Sequence, residues 1–319
     1  MTEGRVSPRI TGSIEETLRA ELAHGDVILA TAQPILRHLL ANDDHALFND
    51  EVIARVRGMM LHLARQLLLH AARADGAEDA DAYATDREDA LSQLLLEDAA
   101  FLGHAHALTI EAQLAGRLQA RSGIDPVLTP LLQHVAAATE DGLAGAAMHV
   151  IAAQARFMQH VSRSELPLSE LPAELFHAAG EALRSADIVM ADIAQTTIQN
   201  LKAEFDEGKR RVGLISRLLV TLDKDARSAL AIDHSGLAIF ASALAMASGQ
   251  PRDTVVLSLG ENQFARLALS LSASGLSAAE VAKQFLFLHP NTTLPEGFDT
   301  LRRDQAASLL AASDPGALI

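Results

Sequence analysis

Apolar side chains recur every three or four residues along most of the chain, the spacing that places them on one face of a helix. The clearest stripe is Val52, Val56, Met59, Leu63 and Leu67, widened by Ile53, Met60 and Leu68. It predicts a helix over about 50–74, capped by Asn49 and buried on two sides. Upstream, Ser13 and Glu16 have the spacing of a capping box. A short helix is expected there, ending at Gly25, with a second over about 31–41 that carries Pro34 in its first turn. Residues 73–88 are acidic, nearly devoid of large apolar side chains and contain Gly76, which reads as an exposed, mobile loop.

Two helices are expected over 88–121, closed by Gly123. Asp125-Pro126, a capping acid before a first-turn proline, predicts a helix over 126–139, followed by another over 143–162. Prolines 167 and 172 make 166–174 a connector into helices near 172–184 and 186–206. Shorter helices follow near 209–221, 225–231, 235–248, 251–259, 262–273, 278–288 and 298–312, punctuated by Gly249, Gly260, Gly275, Pro290 and Pro295. No run alternates apolar and polar residues with β-branched enrichment. Thr254-Val-Val-Leu is the nearest, and it follows a proline-initiated turn that favours helix. The expected fold is all-α: an N-terminal helical bundle over 1–122, middle helical hairpins over 123–208 and a short-helix module over 209–319. An irregular HEAT-like solenoid is one form the multi-helix region could take, although Gln133-His-Val, Met148-His-Val and Gln159-His-Val recur at no fixed period.

Composition narrows the chemistry. Apolar residues make up 49% of the 319 residues but aromatics only 3%, so the core is built from Leu, Ala, Val and Ile. With no cysteine, a disulfide scaffold, a thiolate zinc site, an iron–sulfur cluster and a thiol nucleophile are excluded. The net charge of −15 disfavours general nucleic-acid binding, and neither a signal peptide nor a membrane-spanning run is visible. A cytoplasmic location is expected. Phosphate-binding glycine loops and the nucleophile elbow are missing.

Other constellations have a bland and a chemical reading. Glu21-x-x-His24 and Glu174-x-x-His177 have the spacing of di-metal carboxylate bundles, with Glu97 and Glu111 as formal further ligands. The bland reading, two independent pairs, is preferred. His62 reads as a half-buried, hydrogen-bonded histidine rather than a phosphotransfer site. Lys202, Lys209, Arg210, Arg211 and Arg217 form a basic cluster in an acidic chain: either a docking patch or a solvated helix start paired with nearby acids. Residues 262–288 have the outline of a helix-turn-helix, with Ser277 and Glu280 as a second capping box. Its second helix offers only Glu280, Lys283 and Gln284 for base readout, so a packing hairpin is preferred. On that helix Ala278, Val281, Ala282, Phe285 and Leu288 share one face and Phe287 lies opposite. Phe287 is either covered by the last helix, through Leu301, Leu309 and Leu310, or contacts another molecule.

Residues 209–290 resemble the C-terminal part of an uncharacterised all-helical domain-of-unknown-function family of alphaproteobacteria. The resemblance rests on Arg217-Leu-Leu-Val-Thr-Leu-Asp223, on the run from Gly236 to Gly249-Gln-Pro-Arg252, and on Gly275-Leu-Ser. The segment from Leu166 to His177 is similar to that family's connector. The resemblance implies a helical, cytoplasmic, bacterial protein and carries over no catalytic residue. The expected function is therefore that of a non-enzymatic protein-interaction or regulatory protein, binding a protein partner or a second copy of itself through Phe287, Lys209, Arg210 and Arg211. No cofactor, metal, nucleic acid or membrane is expected. The alternatives are a transcription regulator using 262–288 and a di-metal helical enzyme.

Overall fold

Ser13 and Glu16 form the capping box that their spacing predicts: the Glu16 N–H donates to Ser13 Oγ (3.3 Å) and the Ser13 N–H to Glu16 Oε2 (3.1 Å). The computed structural model describes residues 13–41, 50–139, 141–260 and 263–313. In it the helix opened by this box, α1 (Ile14–Ala41), runs through Gly25 and Pro34 as one element. Gly25 does not stop it, because the residue stays helical and serves close packing instead. A Cβ there would lie 2.7 Å from Gln263 Oε1, and Gln263 Nε2 donates to the Gly25 carbonyl at 2.9 Å.

Helix α2 (Asp50–Asp75) buries the predicted stripe from Val52 to Leu67; Asn49 lies outside the described residues. The segment expected as a loop is shorter than its composition suggested. Helix α3 (Ala80–Thr85) is capped by Asp79, buries Ala84 and carries Tyr83, whose ring lies 4.0 Å below the Arg87 guanidinium. Arg65 of α2 donates to Asp81 (2.7 Å) and Glu88 (2.8 Å); this ties Glu88 to the neighbouring helix, while Asp81 stays 80% exposed, so the segment is solvated as its composition predicts but partly helical. Asp98 separates α4 (Glu88–Glu97) from α5 (Ala99–Ser122), and Gly123 ends α5 in the left-handed conformation at φ 67°.

Asp125-Pro126 does not start a helix. Asp125 Oδ1 accepts the Val127 and Leu128 N–H groups in a turn, and Thr129 caps α6 (Pro130–Ala136). A helix begun at 126 would need the missing N–H of Pro130, and a residue before proline avoids helical backbone. The remaining helices are α7 (Asp141–Ser162), α8 (Ala173–Ser185), α9 (Ala191–Glu204), α10 (Arg211–Leu222), α11 (Ile232–Ser248), α12 (Arg252–Ser258), α13 (Phe264–Ala273), α14 (Ala278–Leu288) and α15 (Arg303–Ala311). The short helix expected near 225–231 is a 3₁₀ segment, Asp223–Leu230. Among the described residues there is no strand, and the fold is all-α. No helix among them is long and apolar enough to cross a membrane.

The buried apolar side chains form two clusters, and neither is one stretch of sequence. One takes Leu18 and Leu22 of α1, the second half of α5, α6, the first half of α7 and helices α10 to α15. The other takes Leu36 of α1, α2, α3, α4, the first half of α5, the second half of α7, the 166–171 connector, α8 and α9, so α1 also contributes to both. Helices α5 and α7 therefore run through both. Pairs such as α1 with α13 and α5 with α12 join elements far apart in sequence, whereas a solenoid repeat touches mainly its neighbours.

Within α11, Gly236 breaks the helix at φ 70°, ψ 168°, a conformation almost restricted to glycine. A Cβ there would also run into Thr129 Cγ2, the side chain of the residue that caps α6. Gly236→Ala is expected to cost about 2–3 kcal/mol, from strain and overpacking together. A urea midpoint unchanged from the parent would contradict this reading.

Candidate functional site

Glu111 stands in the middle of α5, where that helix passes from one apolar cluster to the other. It is 1% exposed. Two helix starts aim arginines at it. Arg211 opens α10 and donates to both carboxylate oxygens (2.6 and 2.9 Å); Arg252 opens α12 and does the same (2.9 Å each). Arg211 also donates to Gln154 Oε1 (3.0 Å) and lies 3.7 Å above the Phe157 ring. Burial alone would push the Glu111 pKa up. The two guanidiniums outweigh it and hold the carboxyl well below the usual range.

Around this node the polar groups are paired in turn. The Arg211 backbone N–H donates to Glu170 Oε2 (2.9 Å), Arg210 pairs with Glu207, and His104 Nδ1 lies 2.7 Å from Asp253 Oδ2. His104 is 7% exposed; its Nε2 has no partner, and the residue lines a cavity of about 20 Å³ with Phe157 and Arg211. A carboxylate-oriented imidazole is half of a catalytic arrangement. The cavity lining contains no Ser, Thr, Cys or Lys to act as nucleophile.

On the outer side of the 168–170 turn lies an open groove of about 410 Å³. Its wall is the Phe176–Phe205 pair, stacked with ring centroids 4.0 Å apart. Around it stand His70 of α2, Arg156 of α7, Glu204 of α9 and Lys209. Burial, reinforced by Arg73, pushes the His70 pKa down, which keeps that ring uncharged at neutral pH. Lys209 pairs with Asp206 at 3.2 Å. Arg156 and Glu204 are exposed, and neither makes a hydrogen bond or ion pair among the described residues.

The predicted contact residues are thus dispersed. Lys209 lines the groove. Arg210 and Arg211, 7% and 1% exposed, are interior ion-pair residues rather than a docking surface. Arg217 donates to the Gly208 carbonyl (2.6 Å), so the basic run serves mainly the start of α10. Phe287 is half-buried against the larger apolar cluster. The last helix packs on α13, while α14 meets α13, α11 and α5; Leu286 is the exposed apolar side chain of α14. Ala282 is exposed, and Gln284 takes a buried place, accepting the Ile232 N–H at 2.9 Å.

The His62 ring is held at the connector, its Nδ1 accepting the Leu166 N–H at 3.1 Å. Glu21, His24, Glu174, His177 and Glu97 are exposed. No group of His, Asp and Glu among the described residues is arranged to hold a metal ion. The 262–288 hairpin turns at Gly275 (φ 89°) and has its Ser277–Glu280 capping box. Its candidate readout side chains are engaged within the chain: Glu280 with Arg227 (3.2 Å), Lys283 with Asp233 (2.9 Å) and Gln284 as above.

No family model, curated protein or solved structure matches the chain.

Proposed function

We propose that the protein is a non-enzymatic helical protein-interaction or regulatory protein, and that the groove beside Lys209 docks a segment of a protein partner. The observation that carries this is the pairing of an apolar wall, Phe176 on Phe205, with one uncommitted cation and one uncommitted anion, Arg156 and Glu204. Elsewhere the side chains capable of chemistry, Glu111, Arg211 and Asp253 above all, are held in ion pairs that fasten helices together. Aromatic and arginine side chains in a concave site are the usual anchors of a protein interface. The complementary segment carries an apolar side chain flanked by charges of both signs.

Affinity capture of the tagged protein and of its Arg156→Glu and Phe176→Ala variants, read by mass spectrometry, tests the proposal. One or a few proteins should be captured by the parent and depleted at least tenfold by either variant. Equal capture by all three would contradict it. A sequence-specific gel shift would instead favour the regulator reading of 262–288, and about two metal ions per purified chain the di-metal reading.

A further inference from the structure

We infer that the groove beside Lys209 takes its partner as an extended peptide, and that His70 holds the backbone of that peptide as the preceding turns of α2 hold a segment of this chain. The inference rests on the docking reading above and adds the partner's conformation to it. One ridge of α2, made of Gly58, His62 and Gln66 at steps of four, already carries an extended strip of the connector. At Gly58 a Cβ would lie 2.6 Å from Ser164 Cβ, so the connector passes against bare helix backbone. One turn on, His62 Nδ1 accepts the Leu166 N–H (3.1 Å). At the next turn Gln66 donates from Nε2 to the Leu166 carbonyl (2.9 Å) and accepts the Leu168 N–H at Oε1 (3.1 Å). Between those two leucines Pro167 is extended, at φ −67° and ψ 140°. The repeats match: four residues of helix rise about 6 Å and two residues of extended chain about 6.6 Å. Each turn of the ridge therefore meets the next alternate residue of the strip.

After Leu168 the connector leaves the ridge in the 3₁₀ turn Leu168–Glu170. His70 is the next residue on the ridge, and there the groove opens: Gln66, His70 and the turn all line it. His70 is half-buried and makes no hydrogen bond among the described residues. Burial, with Arg73 adding to it, pushes its pKa down, so the ring is neutral at neutral pH. A neutral imidazole keeps one donor and one acceptor nitrogen, which match the C=O and N–H of a peptide. A helical partner fits poorly, because its backbone groups are bonded within the helix and it is about 10–12 Å across. An extended chain leaves its backbone free and turns alternate side chains to one side. Its apolar residue can then lie on the half-buried Phe176–Phe205 wall, with Arg156 and Glu204 offering a charge of either sign to its neighbours.

The test starts from p-benzoylphenylalanine at position 209 of the full chain in the producing cell, whose adduct identifies the contacting segment. A synthetic peptide of that segment is then titrated calorimetrically into the parent, His70→Leu and His70→Gln, with melting curves to verify each fold. The parent should bind it and His70→Leu should bind at least tenfold more weakly. His70→Gln, which repeats the Gln66 arrangement one turn on, should stay within threefold of the parent. Replacing the peptide's amides by esters, one at a time, removes each N–H in turn and weakens the carbonyl of the same bond. One such position should weaken binding to the parent at least tenfold and binding to His70→Leu less than twofold. Equal binding by the parent and His70→Leu, ester losses that do not depend on residue 70, or a peptide that fails to bind the parent would overturn the extended-backbone inference and leave the docking reading standing. The absence of any adduct at 209 would overturn both.

Discussion

Glu111→Ala should lower the melting temperature by on the order of 10 °C. The substitution removes the one carboxylate shared by Arg211 and Arg252, with side chains 2% and 12% exposed, and leaves two guanidiniums in the interior. Breaking a buried ion pair from one side costs about 3–5 kcal/mol, and each kcal/mol moves the melting point of a chain this size by roughly 2–4 °C. The penalty is one of uncompensated charge, which a second variant separates from mere loss of packing. Glu111→Leu/Arg211→Met/Arg252→Met removes all three charges together and should recover most of the loss, because apolar replacements of a buried ionic cluster are often neutral or better. Glu111→Ala melting within 2 °C of the parent would mean that the node does not hold α5, α10 and α12 together.

The second large effect is a loss of stability in mild acid that centres on His106. This residue lies partly buried on α5, and burial pushes its pKa from the ordinary 6.5 down to about 4. Above pH 6.5 the ring is neutral in the folded and unfolded chain, and stability is unaffected. Below it the unfolded chain takes up a proton that the folded chain refuses, so stability falls with pH and levels off below about 4. At about 1.4 kcal/mol per pH unit, the loss between pH 7.5 and pH 5 is about 2 kcal/mol. Glu111 does not confound this interval. Its depressed pKa supplies stability that is fully present above about pH 4.5 and is lost only as the pH falls further. Urea midpoints at pH 7.5 and 5 should therefore diverge for the parent and converge by about that amount in His106→Leu. The same pH dependence in both proteins would remove His106 as its source.

What the sequence made legible was local. The α2 stripe, the Ser13 and Ser277 boxes and the Gly123 stop all depend on residues within one or two turns of each other, and all stand in the fold. Misreadings arose where a distant contact overrode a local signal. Gly25 would end a helix in isolation, but Gln263 packs against its bare backbone and the helix continues. The acids of 79–86 are as exposed as they look, but Ala84 and Tyr83 pack on the neighbouring core and make part of the expected loop a short helix. Arg210 and Arg211 look like a surface run until Glu111, a hundred residues away, takes up the second of them. Glu111 did carry a signal, as an acid within the apolar run Leu108-Thr-Ile-Glu-Ala-Gln-Leu114, but spacing alone points equally to a metal ligand and to a buried ion pair. Of the groove, the basic run marked only Lys209. His70, Arg156, Phe176 and Glu204 lie on four different helices, and no short motif can encode their meeting.

The claim that a protein partner docks in this groove is tested most directly by photocrosslinking in the producing cell, with p-benzoylphenylalanine in place of Lys209. The account predicts one dominant protein adduct at 209. That adduct should disappear when Glu204→Lys is added, and it should be absent when the probe replaces the exposed Arg121, which does not line the groove. The same adduct from both positions, or one at 209 that survives the charge reversal, would contradict the account.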